Sequence, residues 1–234
     1  MFRFDSADGR LTRLCEVTVG VCEAVAQAGP EWSLAVFGHS GEGKWIPLVA
    51  EGSRLSNERD LVRLARTMRT HAQFCVSGDH SLPAYRQAIR YALQPPPSAA
   101  AAADPTEWQP SVDNWRGAGG ALGVAAEEAD GDFTAIPRDA TEEQTDTLVL
   151  FVTDANLQRY GIAPERVGRV CADGWRAGVK NYCVLISRDG AETEAVRRAC
   201  PPGKAMVVEH GDGLARTFRH ILSDLQQVSA SQPA

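Results

Sequence analysis

Apolar positions in the first third of the chain recur every three or four residues. Leu11, Leu14, Cys15, Val21, Cys22, Val25 and Ala28 share one face of a helix predicted over 10–28, which Gly29-Pro30 ends. The period then shortens. Ser33–Gly38 and Trp45–Ala50 read as two short strands joined by a Gly-rich turn, an antiparallel hairpin with Pro47 at an edge position. Ser56 fits the N-cap of a helix carrying Leu61, Leu64 and Met68, and a further helix is predicted over 82–93 with Tyr85, Ala88, Ile89 and Ala92 inward.

The strongest strand signal comes later. Leu148–Val152 is an unbroken apolar run, as expected of a strand covered on both faces of a parallel sheet. After it the chain alternates: helix 164–177, strand 182–186, helix 191–199, strand 205–208 and a closing helix 214–228. Strands alternating with helices predict an α/β fold, a doubly wound, mainly parallel sheet flanked by helices. Asp154 stands just past the carboxyl end of the first of these strands, where open α/β sheets bind ligands. A carboxylate there is either a site residue or the cap of a turn.

Residues 95–146 break the pattern. The segment opens PPPSAAAAADP, holds six of the thirteen prolines and has no sustained period, so it reads as a disordered insertion within one domain made of 1–94 and 147–228, with 229–234 a tail. It also changes the meaning of the charge. The chain of 234 residues carries a formal net charge of −6, yet eleven Asp or Glu against two Arg lie in this segment, which leaves the remainder at +3. The acidity is local, and no basic stripe in the sequence points to nucleic acid. No run is long enough to span a bilayer. The six cysteines form no Cys-x-x-Cys pair and fall mostly on apolar stripes, which reads as reduced core residues in a reducing, intracellular compartment.

Two motifs invite chemistry. Gly38–Lys44 satisfies GxxxxGK, but a P-loop needs Ser or Thr next and then a helix, whereas Trp45 and a strand follow here. The alternative functional reading, an ATP hydrolase built on that turn, rests on this motif. The loop Phe74–Ser81 gathers Cys75, Ser77, Asp79, His80 and Ser81. A Cys75/His80 nucleophilic pair lacks an evident third orienting group, and Ser81 also fits a helix cap. A hydroxyl there and Asp154 could share a hard cation such as Mg²⁺.

Arg3-Phe4 with Asp8–Leu11, Gly38–Gly41, Phe74-Cys75 with Ser77–His80, and Asp154–Leu157 with Arg159–Ile162 together resemble a von Willebrand factor A domain. More narrowly, the chain resembles the C-terminal A domain of a large mitochondrial AAA+ ATPase. The resemblance implies a Rossmann-like sheet with a metal ion-dependent adhesion site at its top, and protein binding through Mg²⁺. It places Ser81 and Asp154 at two metal-ligand positions and His39, Asp79 and Arg159 on a partner-binding rim. The partners it implies are a protein that offers a carboxylate and the AAA+ modules of a longer protein. The Asp-x-Ser-x-Ser turn of the family is absent, so the resemblance implies a domain whose first strand is missing, an incomplete Mg²⁺ site, and no catalytic residues of its own.

Overall fold

Glycine, proline and capping residues cut the chain into the elements that the computed structural model shows. The structure describes residues 9–29, 32–39, 45–50, 53, 55, 57–73, 80–93, 147–154, 157–187, 190–209, 213, 217–218, 220–221 and 223. The predicted insertion and tail lie outside the described residues, and of the closing helix only a few helical positions are described.

Helix α1 spans Arg10–Ala28 and is followed by the hairpin strands β1 (Val36–Gly38) and β2 (Ile46–Val49), paired antiparallel with Gly38 opposite Ile46. Helices α2 (Glu58–Gln73) and α3 (Ser81–Leu93) come next. Strand β3 (Leu148–Thr153), helix α4 (Pro164–Arg176), strand β4 (Lys180–Ile186), helix α5 (Ala191–Ala199) and strand β5 (Ala205–Val208) complete the order. The three later strands form one parallel sheet with β4 in the middle. The α/β class and the parallel sheet are as expected. β1 and β2 form a two-stranded sheet of their own.

Two compact units are distinguished; among the described residues one runs to Gln87 and the other starts at Ala88 within α3. In the first, α1, α2 and the hairpin enclose Leu11, Cys15, Cys22, Leu48, Val49, Leu64 and Met68. The inner stripe of α1 differs from expectation at two places: Val17 is buried, while Ala28 is exposed in the last turn. The cap of α2 is Asn57 rather than Ser56. Asn57 Oδ1 accepts from the Asp60 amide at 3.0 Å while its Nδ2 donates to Asp60 Oδ2 at 2.8 Å, a reciprocal pair that satisfies an orphan donor of the first turn. Asn57 is one position nearer the first helical residue, and only there does the side chain reach the third amide.

In the second unit β4 is buried from Asn181 to Ile186, as a central parallel strand should be. β3 is a correction to the sequence reading. It alternates, with Val149, Phe151 and Thr153 buried and Leu148, Leu150 and Val152 half-buried. Among the described residues β3 pairs with β4 alone, and a strand with one neighbour is covered less completely than a central one.

Helix α4 opens on Pro164 after an extended Ala163 and stops at Gly178, whose φ of 80° closes the terminus in the left-handed region. Its inner face carries Val167, Gly168, Val170, Cys171 and Gly174. Gly168 lets α5 approach: a Cβ there would sit 2.0 Å from the Ala199 carbonyl oxygen. Gly174 leaves room for Asn181, whose amide donates to the carbonyls of Val179 at 2.9 Å and Cys171 at 3.3 Å. Cys15, Cys22, Cys171, Cys183 and Cys200 are all buried, in keeping with their reading as core residues, and Cys75 lies outside the described residues.

Candidate functional site

Three element ends build one cluster in the first unit. β1 stops at Gly38, which makes His39 the first residue past the strand; α2 carries His71 in its last turn; α3 begins at Ser81. Ser81 is 2% exposed, and its hydroxyl lies 3.4 Å from Nε2 of His39. His71 hydrogen-bonds the backbone of His39. Burial is the larger influence on its imidazole and pulls the pKa below the usual histidine value, while the bond to His39 opposes that shift. The pair of contacts fixes His39 from two sides, its main chain through His71 and its ring through Ser81.

The hydroxyl at the head of α3 was legible as a helix-start signal. The structure adds that Ser81 is already helical: the His80 carbonyl accepts the Ala84 amide at 2.8 Å. His71 was missed by sequence reasoning. It sits one position from a buried Ala72 near the end of an amphipathic helix, and nothing in local spacing distinguishes it from a solvated residue.

In the second unit Asp154 follows the last residue of β3 and is 4% exposed, next to Thr153 at 7%. A carboxylate that deeply covered has a structural or binding task, because burying an unsatisfied charge is costly. Beyond it Gln158–Tyr160 form a single 3-10 turn, closed by Gly161 at φ 71°. The first amide of this turn donates to the Glu192 carboxylate at 2.7 Å, which ties the loop after β3 to the start of α5. Arg159 is exposed on the turn, its guanidinium 5.9 Å from the Tyr160 ring.

His39 and Ser81 are thus brought together. Asp154 and Arg159 belong to the other unit and flank one loop there. Asp79, Cys75 and Lys44 lie outside the described residues. The GxxxxGK turn runs from β1 to an antiparallel β2 that starts at Ile46, so a strand follows the lysine where a P-loop continues as a helix.

Ser81 and Asp154, one in each unit, are the described oxygen donors to weigh for Mg²⁺. A serine hydroxyl and a carboxylate are hard oxygen ligands of the right kind, but Mg²⁺ requires a near-octahedral shell. Among the described residues no group of three or more His, Cys, Asp or Glu side chains could hold a metal ion. None of the described helices is long and apolar enough to cross a membrane.

No family model matches the sequence, and no solved structure matches it. Among curated proteins it is similar to von Willebrand factor A domain-containing protein 8 of Mus musculus, 27% identical over 231 residues, which is 99% of this chain and 9% of the relative. The chain therefore spans about a tenth of the length of the relative it matches. With its parallel sheet and flanking helices, it is an α/β chain that resembles a von Willebrand factor A domain.

Proposed function

We propose that the chain is a protein–protein interaction module of the von Willebrand A type with an incomplete Mg²⁺ site, working as the C-terminal part of an AAA+ ATPase-like protein. The observation that supports this most is the similarity, along 99% of this chain, to part of a von Willebrand factor A domain-containing protein, combined with a buried Asp154 at the carboxyl end of β3. Ser81 and Asp154 are the side chains that would contribute to a metal shell. His39, Asp79 and Arg159 would choose among partners, which offer a carboxylate. A reducing, intracellular setting follows from the cysteine usage, and a mitochondrial one from the resemblance alone. The hairpin that carries Gly38–Lys44 gives no support to an ATP-hydrolysing turn.

Calorimetry tests the metal. The expected result is weak Mg²⁺ binding or none, since two side chains do not replace a full oxygen shell. A micromolar site lost in Asp154→Ala would overturn the incompleteness. Cross-linking of the chain to a bound protein tests the module, with cross-links expected beside His39 and Arg159 and lost capture in Asp154→Ala. ATP hydrolysis by the isolated chain, abolished by Lys44→Ala, would replace this reading with that of a nucleotide hydrolase.

A further inference from the structure

The solvent side of α2 carries a row of arginines. Its inner face, with Leu64, Met68 and Ala72, is committed to the core. On the opposite arc, at spacings of four, three and three, stand Arg59, Arg63, Arg66 and Arg69. Arg59, Arg66 and Arg69 are exposed and Arg63 is half-buried. Among them lies Val62, 43% exposed and, with Trp32, one of two large apolar side chains so exposed among the described residues. Glu58, Arg59, Val62, Arg63 and Arg66 line a depression of about 560 Å³ open to solvent. Asp60, the other acid of the first turn, is held by the Asn57 cap.

We propose that this arginine face of α2 is a docking surface for an acidic peptide segment of a partner protein, separate from the Ser81 and Asp154 positions and independent of metal. Guanidinium groups pair with carboxylates through two parallel hydrogen bonds, which makes arginine the residue for planar recognition of acids. Arg59 and Arg66 are roughly 10 Å apart along the axis at 1.5 Å per residue. That span matches two turns of a helix with acids at every third or fourth position. Val62 between the arginines offers an apolar contact to a leucine or valine of the peptide. A phosphate backbone would leave it unused. A membrane surface is disfavoured for a different reason: the apolar stripe of α2 faces the core and cannot enter a lipid interface.

The test uses the full chain, with chelator present throughout, and a fluorescein-labelled peptide of twelve residues carrying glutamate at every third or fourth position and leucine between. Anisotropy is expected to show binding that weakens as salt rises. In Arg59→Glu/Arg66→Glu it should weaken about tenfold or more, and in Val62→Ser about threefold. Ser81→Ala and Asp154→Ala should leave it within about twofold, so that failure of the metal reading and failure of this one are distinguishable. Circular dichroism checks the fold of the reversed variant, and Arg59→Ala/Arg66→Ala, a smaller change on the same exposed positions, should weaken binding in the same direction. Unchanged affinity in both arginine variants would overturn the proposal. So would tighter binding to a single-stranded DNA twelve-mer or to phosphatidylserine vesicles than to the peptide.

Discussion

Gly168 is a residue that only its neighbour explains. The Cβ of an alanine would meet backbone, not a flexible side chain, at the Ala199 carbonyl, and α4 or α5 would have to move. Overpacking of this kind costs about 1–3 kcal/mol, more than the ~1 kcal/mol of helix propensity gained over glycine. Gly168→Ala should therefore lower the denaturation midpoint, and an unchanged midpoint would mean the helices are not in contact there. Glu194 makes a prediction of opposite character. Hydrogen bonds from Arg197 at 2.7 and 2.9 Å and from Arg198 at 2.6 Å hold its carboxyl down to about 2 from 4.5. The unfolded chain takes up the proton first, so this stabilisation is complete above about pH 4.5 and is lost as pH falls through about 2. Melting curves should separate the native chain from Glu194→Gln above about pH 4.5, and the two should converge as pH falls through about 2. The site is at the surface, and added salt should narrow the gap.

At the scale of elements, α2 offers the clearest stability test. Replacing the capping side chain in Asn57→Ala should cost about 1 kcal/mol, read as a shift of the urea midpoint with an unchanged slope; no shift would mean the first turn finds another acceptor. The same helix shows what the sequence could and could not convey. Its amphipathic period placed Leu64 and Met68 inward correctly, because burial of one face is a property of spacing. The cap slipped by one residue, since Ser56 and Asn57 are both good caps and only backbone geometry selects between them. The apolar run of β3 read as a strand covered on both faces, but among the described residues β3 pairs with β4 alone, and an apolar run does not count neighbours. The positions of Ser81 and Asp154 at element ends were legible because such ends announce themselves in hydroxyls and carboxylates. His71 was not, because its partner is the main chain of a residue more than thirty positions away, and no local pattern encodes that.

Over the whole molecule, charge is distributed so unevenly that the net value describes no part of it. A variant in which 95–146 is replaced by a neutral Gly/Ser linker changes from −6 to +3 and should bind a cation exchanger at neutral pH, where the native chain binds an anion exchanger. Retention on the anion exchanger would show that local fields, not the sum, govern adsorption. One side-chain group gives the second unit an optical handle. The Lys204 ammonium lies 4.0 Å from the Trp175 ring and 5.1 Å from that of Tyr182, while the indole N–H donates to the Asn181 carbonyl at 2.7 Å. The lysine precedes β5, the tryptophan ends α4 and the tyrosine lies in β4, so the arrangement exists only when all three elements are in register. Indole emission responds to a fixed positive charge and to a hydrogen-bonded N–H. In a variant that keeps Trp175 as its sole tryptophan, the colour of that emission becomes a gauge of whether the parallel sheet has closed.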